Sequence, residues 1–362
     1  MTNVTDGDVA ERLASLAKPP GSLGLLEEWA TTLCKVQGTL TPEVDPASVV
    51  VFCADHGVKK ADDAISPFPS SVTQAVFRAL ASGISGTAVI SRSSSAHLTV
   101  VDCGIAGDVA SVTAKGAAIE VMHKKVAEGT MDIRREAAMT DAQLDAALRV
   151  GRECVAAEAT QRGARCVCVG EVGIGNTTSA AALLATLAGA PAADCCGRGT
   201  GLDETGLAHK VATVQAAVDF HAAGIAAAAD SSPDAPKVAA AREALRRLGG
   251  LETAAMVGAF QEAHERKMVV VVDGFIAATA ALCAVRVDPP CRASMLFATA
   301  LAEEPQALRG GDLLTRELGA QPALTMSLRL GEGSGAALAV PLLRTAVAVL
   351  TQMGTLQEAL AL

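Results

Sequence analysis

Short runs of β-branched residues, set between long alanine-rich stretches, constrain this chain more than any other feature. They are SVVVFC (48–53), LTVVD (98–102), RCVCVG (165–170) and MVVVVDG (268–274), with AAIEVM (117–122) a weaker fifth. Each run is continuously apolar, which is the pattern of strands covered on both faces in a parallel sheet. The stretches between them, such as 73–82, 141–160 and 179–187, carry helical patterning. Strand and helix in alternation predict an α/β fold with right-handed crossovers.

The strands also end alike. ADHG (54–57) follows the first, DCG (102–104) closes the second, GEVGIGNTT (170–178) follows the third and DG (273–274) closes the last. Open parallel sheets bind ligands at the carboxyl ends of their strands, so a site is expected along that edge. The segment through residue 36 and the region after Arg292 read as helical and pair as a smaller unit. AADSSPDAPKV (228–238) reads as a surface loop.

Composition narrows the function classes. The chain has 362 residues, half of them hydrophobic and 19% charged, enough for a large core. A net charge of −9 without a long basic run argues against nucleic acid, and one tryptophan, seven phenylalanines and no tyrosine leave few stacking platforms. The apolar runs read as too short and interrupted to span a membrane. The N-terminus lacks the layout of a signal peptide, so the expected location is cytoplasmic. Ten cysteines form no CxxC pair and lie mostly in apolar runs, the usage of buried reduced thiols. Cys195 and Cys196, beside a glycine-rich turn, are the pair to watch for reactivity. The six histidines show no metal-ligand spacing and no G-x-S-x-G elbow occurs, which leaves His56 a supporting residue.

Three motifs carry chemistry. GEVGIGNTT, followed by SAAALLATLA, reads as strand, glycine loop and helix. A helix N-terminus offers N–H groups and a positive dipole end to an anion. Gly173 and Gly175 allow close backbone approach, and Thr177 or Thr178 can cap the helix. The motif matches neither GxxxxGK[ST] nor GxGxxG, and by itself it fits a plain capping turn equally well. GRGTGLDETGLAHK (197–210) adds a second glycine cluster with Arg198 and Lys210, either of which can neutralise a phosphate. RLGEGSGAALA (329–339) sets Glu332 between glycines just before a helix. By sequence alone that is a helix-capping carboxylate; in an apolar pocket its pKa would rise and it could serve as a general base.

With these residues assembled, the chain resembles the nicotinate-nucleotide–dimethylbenzimidazole phosphoribosyltransferase family nearly end to end. The likeness runs in order through KPPGSLG (18–24), ADHGV (54–58), ISPFPSSVTQ (65–74), EGTMDIRREAAMT (128–140), GEVGIGNTT, GRGTGLDETGLAHK, GGLETAAMVGA (249–259), VVDGFIA (271–277) and RLGEGSGAALA. The resemblance implies a Rossmann-like, mostly parallel α/β domain over 37–291, a small helical domain from 1–36 and 292–362, and a homodimer. It implies transfer of the phosphoribosyl group of nicotinate mononucleotide to 5,6-dimethylbenzimidazole, in assembly of the cobalamin lower ligand, with no cofactor and no metal. By motif, Glu332 matches the base that takes the benzimidazole proton. Glu171 matches a second carboxylate near the ribose and the charge developing at C1′. Gly173, Gly175, Asn176, Thr177 and Lys210 match the phosphate set, and Ser66, Phe68, Gln74 and Leu330 the benzimidazole pocket.

The chain departs from the family pattern in two places. ALAEEPQALRGGDLL (300–314) keeps Ala302 and Glu303 but loses a Gly-His pair, and Asp132 stands where asparagine is usual. These departures motivate an alternative: a paralogue or subunit that binds nucleotide and needs a partner chain.

Overall fold

A computed structural model of the chain describes residues 4–301 and 308–362. Ala302 and Glu303, singled out in the sequence, lie outside them. Among the described residues, six strands form one parallel sheet in the order β3-β2-β1-β4-β5-β6. They are β1 (Ala47–Ala54), β2 (His97–Gly104), β3 (Ile119–His123), β4 (Cys166–Val172), β5 (Val269–Val272) and β6 (Met295–Phe297). Strand order reverses between β1 and β4, the switch point at which such sheets open a crevice.

Every residue of β1 is buried, yet its side chains part into two cores. Val50, Phe52 and Ala54 face a layer holding the helices Asn176–Ala188, Leu251–Glu265 and Gly274–Val287, while Val49, Val51 and Cys53 face the opposite layer. That second layer contains Trp29 and Leu33 from the helix Leu25–Gln37, and Leu343 and Leu350 from Ser334–Gln352. Continuous apolarity is therefore the trace of a sheet covered on both sides.

Three expectations need correction. The region after Arg292 is not all helical: Met295–Phe297 is the edge strand β6, paired with β5 from Val270↔Met295 to Val272↔Phe297. Three residues cannot set a period of their own, so only pairing reveals them. The terminal segments do meet, through Arg12 Nε donating to the Leu350 carbonyl at 3.0 Å and a bridge between Leu16 and Thr355. They also share a core with the sheet rather than forming a separate one.

The second correction concerns membrane spans. The helices Glu204–Asp230 and Ser334–Gln352 are each long and apolar enough to cross a bilayer. Much of that apolarity is alanine, and the first buries Lys210 and His221 inside the fold. The third concerns Cys195: all ten cysteines are buried, and burial pushes the Cys195 thiol up to about 12, far from a reactive thiolate.

Candidate active site

Two glycine-rich turns are pressed together at the end of β4. Gly170 packs so closely on the Glu332–Gly333 backbone that a Cβ there would overlap the Glu332 carbonyl. The facing turn runs left-handed through three residues, with φ of 75° at Gly331, 60° at Glu332 and 74° at Gly333. A left-handed glutamate is uncommon and strained, a conformation found mostly where function requires it.

This packing brings carboxylates from distant parts of the chain onto one wall. Glu171, next to last in β4, accepts a hydrogen bond from the Asn176 side-chain amide. Burial drives its pKa well above the usual carboxylate range, and the charges of Glu252, Glu332 and Asp273 add to the shift. Glu332 is 9% exposed and accepts from Thr87 Oγ1 at 2.9 Å, at the N-terminus of the helix Gly86–Ser93. Burial raises its pKa, and the bonds from Thr87 only partly offset this. Asp273, at the end of β5, accepts from Thr299 Oγ1 at 2.5 Å and from the Gly335 backbone N–H at 2.7 Å; burial raises it too.

These side chains line a cavity of about 430 Å³ at the carboxyl ends of β4, β5 and β6. That volume suits a small-molecule site. Phe68, Val72 and Leu330 give it an apolar wall. A second cavity of about 30 Å³ adjoins it and shares Gly173, Asn176, Thr177 and Thr200 with it. Arg198, Ser66 and Gly175 complete the smaller space. The helix Asn176–Ala188 begins at this point without a side-chain cap, behind Gly175 at φ of 100°. Its first turn thus presents the positive end of the helix to the small cavity. Lys210, 1% exposed on the helix Glu204–Asp230, lines neither cavity and acts through the loop, its Nζ donating to Thr177 Oγ1 at 2.8 Å and to the Gly197 carbonyl at 3.0 Å.

The structure brings most of the expected residues together. Glu171, Glu332, Gly173, Asn176, Thr177, Phe68 and Leu330 all line the larger cavity. Ser66 and Gly175 line only the smaller one, and Ser66 Oγ lies 3.2 Å from Thr200 Oγ1. Gln74 lines neither cavity: its amide donates to the Ala106 carbonyl at 2.7 Å and its oxygen accepts from Arg78. His56 is buried behind the glycine loop, 3.1 Å from Glu252. Burial opposes its charging, but Glu252 and Asp55 carry its pKa above the ordinary value.

Sequence reasoning passed over Asp273, Thr299, Thr87 and Thr200 as site residues. Asp273 was visible as strand-end punctuation. The threonines gave no signal, because they act through partners up to 245 residues away.

A parallel sheet with a cavity along its carboxyl edge, a helix N-terminus beside a small polar pocket, and buried carboxylates next to it form a layout that suits an α/β phosphoribosyltransferase. A family profile described as phosphoribosyltransferase matches residues 2–360. The nicotinate-nucleotide–dimethylbenzimidazole phosphoribosyltransferase of Pseudomonas putida is 41% identical over 359 residues, covering 99% of this chain and 95% of its own. That of Pseudomonas aeruginosa is 43% identical, covering 97% and 92%. The crystal structure of CobT from Thermus thermophilus superposes with a TM-score of 0.86 at 34% identity, over 97% of both chains. The chain belongs to the nicotinate-nucleotide–dimethylbenzimidazole phosphoribosyltransferase family and is a transferase.

Proposed function

We propose that this chain transfers the 5-phosphoribosyl group of nicotinate mononucleotide to 5,6-dimethylbenzimidazole, giving α-ribazole 5′-phosphate and nicotinate. The observation that carries the reading is the convergence of two features on one cavity. A glycine loop and helix N-terminus, with Lys210 bonded behind them to Thr177, meet buried Glu171 and Glu332, and the Asn176 amide ties Glu171 to the loop.

The glycosidic C1′–N bond breaks with its electron pair returning to the pyridinium nitrogen, so nicotinate leaves with a neutral ring and needs no acid there. One benzimidazole nitrogen forms the new bond to C1′ from the opposite face, which inverts β to α. The other nitrogen loses its proton to Glu332. Burial has raised the pKa of this carboxylate, and base strength rises with pKa as long as the group stays ionised. Glu171 faces the ribose, where its ionised form stabilises positive charge at C1′. The 5′-phosphate occupies the smaller cavity, held by Gly173, Gly175, Asn176, Thr177 and Lys210. Ser66 and Thr200 join this end, which takes Ser66 away from the base. Phe68 and Leu330 form a flat apolar wall for the base.

The site is open to solvent at Phe68 and Leu330, 45% and 50% exposed. A homodimer in which a second copy covers these exposed apolar side chains belongs to the same proposal, as does a cytoplasmic location.

The deciding experiment incubates the purified chain with nicotinate mononucleotide and dimethylbenzimidazole and follows both products by chromatography. Free nicotinate and α-ribazole phosphate in equal amounts are expected. No product, where a related enzyme works, overturns the reading; turnover by this chain alone also excludes the partner-requiring alternative.

A further inference from the structure

Lys59 is a buried cation to which the transfer reaction, as described, gives no task. It lies in the short helix Gly57–Ala61 that follows β1, and it is 2% exposed. Its Nζ donates to the Asp63 carbonyl and to Asp63 Oδ1, both at 2.8 Å, and to the Ser66 carbonyl at 3.1 Å. The ammonium therefore spends all three N–H groups on the segment that ends in Ser66, a wall of the small cavity. Its stem lies against the glycine loop as well, with Cβ only 2.9 Å from where a Cβ on Gly175 would stand.

Burying an ammonium is unfavourable unless an anion compensates it. The partner carboxylate on Asp63 is 97% exposed, so water screens most of its attraction. The Ser66 carbonyl that Nζ holds belongs to a residue lining the small cavity, where a bound anion would add to that compensation. Lys210 reaches the same loop at Thr177, so two buried lysines attend one glycine turn.

We infer that Lys59 is a positioning residue for the substrate's 5′-phosphate: it fixes the Ser66 wall of the small cavity and supplies a second buried positive charge beside the glycine loop. This rests on the reading that the small cavity holds that phosphate. A phosphate dianion bound there completes the compensation that Asp63 leaves unfinished. Lys59 touches neither the reacting carbon nor the incoming base, so its removal acts on nucleotide binding and spares the chemical step.

The test is steady-state kinetics of Lys59→Met and Asp63→Asn with both substrates varied. For Lys59→Met, KM for nicotinate mononucleotide rises about tenfold, as the Ser66 wall loosens and a buried positive charge beside the loop is lost, while kcat and KM for dimethylbenzimidazole stay within about threefold. Inorganic phosphate, a competitive inhibitor of the wild type, weakens in parallel. An unchanged nucleotide KM, or a joint loss in kcat and both KM values, overturns the proposal. Asp63→Asn alters an exposed side chain and removes a competing charge, so at low salt it lowers the nucleotide KM about twofold and leaves that of the base unchanged. An unchanged or raised nucleotide KM in this variant overturns the proposal even if Lys59→Met does not fold. If the wild type releases no nicotinate, the functional reading falls with it; wild-type turnover with unaffected variants removes Lys59 alone.

Discussion

Glu332 holds a backbone conformation that costs a glutamate about 1 to 3 kcal/mol, and it holds it between two glycines that adopt the same shape freely. The strain aims its carboxylate at Thr87 and the cavity instead of capping its own helix, which starts at Ser334. The capping role that sequence alone favoured is thus replaced by one in which burial raises the pKa. Glu332→Gln keeps the shape and removes the base. We expect kcat to fall about 10² to 10⁴-fold, the usual worth of general-base catalysis, with KM for nicotinate mononucleotide within about threefold. On the proposal that Glu332 is the base, its ionised form is the active one. Because its pKa is raised, activity is lost on acidification at a pH above the ordinary glutamate range. A pH–rate profile whose acid limb lies at or below that range would contradict the assignment.

At the scale of elements, the site depends on how closely β4 and the turn before the helix Ser334–Gln352 are pressed together. A side chain at Gly170 meets the Glu332–Gly333 backbone, which cannot step aside as a flexible side chain would. Gly170→Ala should destabilise the fold by about 1–3 kcal/mol, as overpacking does, and displace Glu332 from the cavity wall. A displacement near 1 Å costs catalysis about 10²-fold. Urea unfolding read beside kcat checks both, and wild-type kcat in a folded variant would show that the contact does not set the geometry. The sequence made parts of this legible. The runs at β1, β2, β4 and β5 announced themselves because both faces are buried, and the glycine motifs marked the strand ends. β6 stayed hidden because three residues carry no periodicity. Ser66 and Gln74, close in sequence to Phe68, part company because the turn into the helix Ser71–Ala81 sends Ser66 toward Thr200 and Gln74 toward Ala106. A linear motif says that residues matter together; only the fold says which of them face the same space.

Across the whole molecule, the sheet gathers Glu171, Glu332 and Asp273 into a low-dielectric cavity, where each one's pKa is raised and Glu171's most emphatically so. An unliganded cavity therefore shifts these carboxyls toward their protonated forms, because the charged forms lose hydration and Glu171 also feels the charges around it. Nicotinate mononucleotide changes that balance by bringing a pyridinium cation to the ribose end. A cation beside Glu171 favours its ionised form, so its pKa falls on binding, and wherever the free enzyme holds Glu171 protonated the complex releases that proton to solvent. The substrate phosphate ionises more fully beside Lys210 and releases protons too, so the two sources need separating. Calorimetric titration at pH 7 in buffers of different ionisation enthalpy measures the total. Glu171→Gln should remove its own share and leave the phosphate's, and inorganic phosphate, which lacks the pyridinium, should release the same amount from both proteins. If nucleotide binding releases equal proton counts from wild type and variant, Glu171 is already ionised in the free enzyme. The cavity would then hold its negative charge before the substrate arrives, and the stabilisation of C1′ would owe nothing to a proton expelled on binding.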